Sequence, residues 1–180
     1  MKKISRKELL EIAKNIKFLI LDVDGVLTDG SIILDNEGNE FKSFHVRDGH
    51  GIKMLMRAGI KIAMITGRHS KVVERRAQEL GITDVFQKCH DKRVAYRQLA
   101  EKYSLGDSEI AYIGDDIVDI PILKRSGLSV TVADADNDVK AVAMMITERS
   151  GGRGAVREVC DLVLKAKGLW QDIIDGYSKP

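Results

Sequence analysis

The sequence predicts an α/β fold in which a doubly wound parallel sheet lies between two helical layers, a three-layer α/β/α arrangement. Three observations predict it. Short apolar runs at residues 18–21, 60–65 and 110–113 lack polar alternation, the pattern of strands buried on both faces. Segments of helical periodicity separate them. Each run stops at a polar, Gly-containing step: Asp22-Val23-Asp24-Gly25, Thr66-Gly67-Arg68 and Gly114-Asp115-Asp116. In a parallel sheet such strand ends share one edge, where open α/β sheets bind ligands.

In chain order, Ser5 with Glu8 three residues on is a capping box for an amphipathic helix over residues 5–15, with Leu9, Ile12 and Ala13 on its apolar face. The first strand then leads into Asp22 and Asp24. Residues 31–35 and 40–46, joined by Asn36-Glu37-Gly38-Asn39, read as a β-hairpin. A lone hairpin is marginal in water, so this one is expected to pack on its own domain or on a neighbouring subunit. A helix over 48–58 ends at Gly59, and strand 60–65 follows. Ser70 opens a helix to Leu80, closed by Gly81; residues 84–87 form a short strand and 91–103 a helix. Beyond the strand at 110–113, further strands are expected at 128–132 and 143–146. The Gly-rich step Ser150-Gly151-Gly152-Arg153-Gly154 precedes a last helix over 155–167. This tail either frays or reaches a neighbour's site, and the sequence leaves both open.

Composition narrows the class. A chain of 180 residues, 44% hydrophobic and 31% charged, reads as one soluble domain over residues 1–180 with a sizeable core. No apolar run approaches bilayer length, and the basic N-terminus lacks a signal peptide's apolar core. Cys89 and Cys160 are too few for a disulfide framework or a zinc site, which points to a reducing cytoplasm. A net charge of +2 with 5% aromatic residues offers no electrostatic reason to expect nucleic acid.

The chemistry lies in the strand ends. A D-x-D step at a strand terminus points two carboxylates to one side, which raises a pKa unless a divalent cation is present. One carboxylate can then hold Mg²⁺ and attack phosphorus, while the other passes a proton to the leaving oxygen and later activates water. Thr66 can donate to a phosphate oxygen, and Gly67 lets a backbone amide approach. Lys92, opening a helix, supplies a point charge that keeps Asp22 ionised. Asp115 is the remaining metal ligand, with Asp116 beside it and Asp119 one turn on to orient Lys92 or a metal-bound water. Singly, Asp-Gly and Gly-Asp-Asp are turn formers, Thr-Gly is a common loop, and a lysine is a solvated helix residue. Their ordered recurrence on successive strand ends is what argues a site.

Asp22-x-Asp24-Gly25-Val26-Leu27-Thr28, Thr66-Gly67-Arg68, Lys92 and Gly114-Asp115-Asp116-x-x-Asp119 resemble the four motifs of the haloacid dehalogenase-like superfamily, in its phosphatase branch. The hairpin, Phe44-His45-Val46-Arg47-Asp48-Gly49, and Gly151-Gly152-Arg153-Gly154-Ala155-Val156-Arg157-Glu158 resemble, more narrowly, the 3-deoxy-D-manno-octulosonate 8-phosphate phosphatase family. The resemblance implies a Mg²⁺-dependent phosphomonoesterase, usually a homotetramer, on the pathway to lipopolysaccharide. It implies Asp22 as nucleophile, Asp24 as general acid/base, and Asp22, the Asp24 carbonyl and Asp115 as metal holders. It also implies substrate contacts from Asp24, His45, Val46, Arg47, Asp48, Gly49, Gly67, Arg68 and Lys92, with Lys53 at the family's basic position after Gly49-x-Gly51.

Only the hairpin, residues 31–46, fits where related phosphatases insert a cap domain. An open site exchanges water freely, so a second copy is expected to supply the lid, with the hairpin and the tail, residues 150–180, as contacts. Arg76 falls at the edge of its helix's apolar stripe; it either snorkels or pairs locally, or joins Arg68 and Arg47 in reading a substrate carboxylate. An acidic sugar phosphate suits the second arrangement. His45 reads as a hairpin surface residue rather than a catalyst. A phosphate-accepting receiver module uses a similar inventory, but a base two residues from the nucleophile suits hydrolysis. A silent subunit is expected to have lost a motif, and none is lost. Other eight- or nine-carbon keto-acid sugar phosphates remain alternative substrates.

Overall fold

A computed structural model describes residues 4–178 of the chain. Helix α1 (Arg6–Asn15) carries the expected capping box between Ser5 and Glu8. Strand β1 (Phe18–Leu21) follows, wholly buried. The hairpin strands β2 (Ile33–Leu34) and β3 (Glu40–Phe41) form a separate two-stranded antiparallel sheet. Then come α2 (Val46–Arg57), β4 (Lys61–Ile65), α3 (Lys71–Leu80), β5 (Asp84–Phe86), α4 (Lys92–Tyr103) and β6 (Ile110–Ile113). The last third holds α5 (Ile120–Leu123), β7 (Leu128–Thr131), α6 (Asn137–Val142), β8 (Met145–Ile146), α7 (Ala155–Ala166) and α8 (Trp170–Ser178).

The main sheet runs β5-β4-β1-β6-β7-β8, and every pairing in it is parallel. The chain leaves β1 on one side through β4 and β5, then returns to its other side through β6. The crevice at the carboxyl end of β1 is therefore the point where the winding reverses. Alternate strand residues feed two apolar layers. Leu19, Leu21, Met64 and Ile113 pack with α2 and α7 through Ile52, Leu55, Val159 and Val163. Phe18, Ile20, Ala63 and Tyr112 pack with α4 and α5 through Tyr96, Leu99 and Ile122. Both faces are covered, as a parallel sheet requires.

Three differences from expectation have local causes. Helix α2 starts at Val46 rather than at 48, and the hairpin's second strand is two residues long instead of reaching 46, because the chain turns at His45 into the helix. Helices α5, α6 and α8 are additional; the first two are too short for a periodic pattern, and Pro121 in the first turn of α5 disguises it as a loop. The Gly-rich step is neither frayed nor extended outward. Gly152 N–H donates to the Val26 carbonyl at 2.9 Å, Gly151 N–H donates to Asp134 at 2.9 Å, and a side chain on Gly151 would collide with the Gly25 carbonyl. Small residues let this segment buttress the loop that carries Asp24. Beyond it, Asp48 of α2 is buried and accepts from the Gly154 and Arg157 amides at 3.2 and 2.7 Å, serving as the N-terminal cap that α7 lacks in its own sequence.

No helix among the described residues is long and apolar enough to cross a membrane.

Candidate active site

Asp22 is the first residue past β1, and its amide still donates to the Ile113 carbonyl of β6 at 2.9 Å. The chain then leaves the sheet and winds so that the amides of Val26, Leu27 and Thr28 converge on the Val23 carbonyl. Gly25 sits in this turn at φ +86°, and any Cβ there would run into the Asp115 carboxylate. Glycine is thus needed twice, for the backbone sign and for the approach of two loops.

Around Asp22 the strand ends meet in a cleft of about 300 Å³ lined by Asp22, Asp24, Thr66, Gly67, Arg68, Cys89, His90, Lys92, Asp115, Asp116 and Val118. Lys92, the first residue of α4 behind its cap Asp91, extends its ammonium to Asp22 Oδ2 at 2.8 Å and Asp119 Oδ1 at 2.6 Å. Asp119 is fully buried and saturated: it accepts from Lys92, from the Tyr112 hydroxyl at 2.5 Å, and from the Asp115 and Asp116 amides at 3.1 and 3.3 Å. Asp116 caps its own short turn through the Ile117 amide. Asp115 differs, because its Oδ1 is buried with no hydrogen-bond partner. Thr66 is buried at the end of β4, with its amide donating to Phe86 and its hydroxyl accepting from the Arg68 amide at 3.3 Å.

Burial raises the Asp22 carboxyl to about 7; Lys92 opposes the rise and Asp119 adds to it. Asp115 is raised to about 8, again by burial first and then by the charges of Asp22 and Asp119. Burial alone would lower Lys92, but attraction from Asp22 and Asp119 prevails and leaves its pKa raised. The like charge acting on Asp22 is therefore Asp119, not Asp24 as the D-x-D spacing suggests, since the backbone turns out of the strand between the two. Asp24 instead pairs with Lys42, with Arg68 Nε 3.9 Å from its other oxygen.

One carboxylate oxygen from each of Asp22, Asp115 and Asp119 lies within 4.8 Å of the others, a spacing suited to a cation. Asp119 already accepts four donors, so Asp22 and the unpartnered Asp115 are the side chains with capacity left. Hard oxygen donors of this kind fit Mg²⁺.

The remaining sequence-selected residues lie outside this cleft. Val46, Arg47 and Lys53 are exposed, and His45 is half-buried with Nδ1 unpartnered. Asp48 is occupied by the start of α7, and Gly49 gives room to Arg76, which pairs with Glu79 at 2.8 Å and lies over the Phe44 ring. The cleft-lining residues Cys89, His90 and Val118 were not selected from sequence, and neither were Glu40 and Lys42, which reach Asp24 and Arg68 from the hairpin. The signal for Glu40 and Lys42 was the alternation Glu40-Phe41-Lys42, charge on one hairpin face and an exposed aromatic on the other.

A haloacid dehalogenase-like hydrolase family model matches residues 78–158. The chain is 48% identical to the 3-deoxy-D-manno-octulosonate 8-phosphate phosphatase of Escherichia coli K12 over 161 residues, covering 89% of this chain and 86% of that one. Among solved structures it resembles the phosphatase of the same name from Yersinia pestis, at 48% identity and TM-score 0.90, covering 91% and 89% of the two chains. It also resembles the one from Moraxella catarrhalis in complex with magnesium, phosphate and KDO, at 43% identity and TM-score 0.94, covering 96% and 99%.

Proposed function

Because the chain belongs to the family of 3-deoxy-D-manno-octulosonate 8-phosphate phosphatases, we propose that it hydrolyses that ester to the free sugar acid and phosphate. The observation that carries the reading is the cleft in which Asp22, Lys92 and the unpartnered Asp115 meet. Magnesium fits the oxygen donors there; Asp22, Asp115 and the Asp24 carbonyl would hold it, and it supplies positive charge against the phosphoryl oxygens.

The chain's own residues account for the rest. Asp22 attacks phosphorus with a carboxylate oxygen whose ionised form Lys92 favours against the cost of burial. Thr66 and the Gly67 amide donate to the transferring group's oxygens, and Lys92 offsets their charge. Asp24 protonates the departing sugar oxygen, then takes a proton from the water that cleaves the phosphoaspartate. Arg68, half exposed at the rim, is suited to the carboxylate of an acidic sugar.

The reading includes assembly. Ile32, Ile33, Leu34 and Phe41 are exposed apolar side chains on the hairpin, with Ile33 and Phe41 paired across its strands, and Val46 is exposed nearby. Such a surface supports a homotetramer in which the hairpin, residues 31–46, and the tail form contacts, and in which the exposed Val46, Arg47 and Lys53, with His45 and Arg76 beside them, serve the rim of a neighbouring copy's cleft, while the buried Asp48 and Gly49 shape this segment from within. The chain then acts as one domain over residues 1–180. Two free cysteines, Cys89 and Cys160, support a reducing cytoplasm, and the substrate supports a place on the route to lipopolysaccharide.

The test is phosphate release with Mg²⁺ from a panel of sugar phosphates, with a chelator control. Metal-dependent preference for 3-deoxy-D-manno-octulosonate 8-phosphate is expected. Preference for a nine-carbon keto-acid ester would keep the chemistry and overturn the substrate.

A further inference from the structure

The hairpin reaches the cleft of its own chain. Strand β3 and the residue after it alternate, so Glu40 and Lys42 turn inward while Phe41 between them faces solvent. The Lys42 side chain is only 1% exposed; its ammonium pairs with Asp24 Oδ1 and lies 3.4 Å from Glu40 Oε1. A buried ammonium is tolerated only where carboxylates compensate it, and these two do so. Glu40 in turn accepts from the Ser70 hydroxyl at the start of α3 and from Arg68 Nη2 at 3.2 Å. The hairpin is thereby latched to the loop after β4 as well as to the loop after β1.

Lys42 holds one oxygen of Asp24. Among the described residues none donates a hydrogen bond to the other, Oδ2; Arg68 Nε stands 3.9 Å from it, beyond hydrogen-bond length. We propose that Lys42 is a positioning residue: by gripping Oδ1 it fixes the rotation of the Asp24 carboxyl group and leaves Oδ2 to exchange the proton with the ester oxygen. The proposal rests on the phosphatase reading above. In the step concerned, an Asp22 oxygen forms its bond to phosphorus as the bond to the sugar oxygen breaks. The bonding pair leaves on that oxygen, which takes the proton from Asp24 Oδ2.

Two esters separate positioning from general stability. The sugar phosphate leaves as an alkoxide that needs the proton, whereas p-nitrophenyl phosphate leaves as a phenolate that does not. The ratio kcat/KM reports the steps up to that departure. Lys42→Met is expected to lower kcat/KM for the sugar phosphate about 100-fold or more, and for the aryl ester less than about 5-fold. Lys42→Arg keeps the buried charge, and so the fold, but shifts the donor; the same split is expected at about 10-fold against no loss. Equal losses on both esters, or none on either, would overturn the proposal. Wild-type protein that releases phosphate from neither ester would overturn the phosphatase reading itself, so the two failures are distinguishable.

Discussion

The Lys92 ammonium lies 2.6 Å from Asp119 Oδ1, and both side chains are almost entirely buried. With Asp22 on its other side, Lys92 is the only positive side chain holding two buried carboxylates together among the described residues at the site. Lys92→Met should therefore remove both stability and turnover. Leaving buried carboxylates uncompensated costs about 3 kcal/mol, reduced where Asp22 takes up a proton. Thermal unfolding would measure that loss. Turnover should fall by at least about 100-fold, and a variant with near-normal melting and activity would contradict the role assigned to Lys92.

Proton and metal should compete at the cleft. In the metal-free folded chain Asp22 and Asp115 hold protons to about 7 and 8, whereas unfolded aspartates release them near about 4. The folded state thus binds more protons across that interval, and the stability of the metal-free protein should fall as pH rises through it. Mg²⁺ binding at pH 7 should release protons, and its affinity should climb with pH and level off above about 8. Calorimetry in two buffers of different ionisation enthalpy measures the release. An affinity independent of pH between about 6 and 8 would oppose the assignment.

Truncation should distinguish the two C-terminal helices. Helix α7 buries Val156, Val159, Cys160, Val163 and Leu164 against the core, so a chain ending at Glu148 should lose cooperative unfolding. Among the described residues a chain ending at Gly168 lacks Leu169 and α8, which has no fully buried residue, and it should keep its fold with a modest drop in melting temperature.

Asp48 offers a fourth test, because it belongs to a motif that suggests substrate contact yet it caps α7. Asp48→Ala leaves the Gly154 and Arg157 amides without their acceptor and should cost about 1–2 kcal/mol in denaturant unfolding. A raised KM with unchanged stability would instead favour a direct role toward substrate.

The strand ends were legible because nothing competes with their signal: continuous apolar runs broken by Asp and Gly mark buried strands and their exits, and β1, β4 and β6 place Asp22, Thr66 and Asp115 together. The helix ends at Ser5, Ser70 and Gly81 were legible for the same local reason. What stayed hidden depends on the path of the backbone after the local pattern ends. The turn that leaves the strand after Asp22 separates Asp24 from it and sends Asp24 toward Lys42, a partner 18 residues away that no spacing rule connects to it. Asp48 shows another limit: a carboxylate at a helix start reads the same whether it receives a ligand or the amides of a second helix.

In the proposed reaction Asp22 receives the phosphoryl group and Asp24 moves the protons. The decisive measurement mixes Asp24→Asn protein with Mg²⁺ and p-nitrophenyl phosphate, whose leaving group needs no proton, quenches in acid, and locates phosphate by peptide mass spectrometry. A phosphoaspartate at Asp22 should build up because its hydrolysis lacks a base, with no such species in Asp22→Asn protein. Steady phosphate release without any phosphoenzyme, or modification at a different residue, would contradict it.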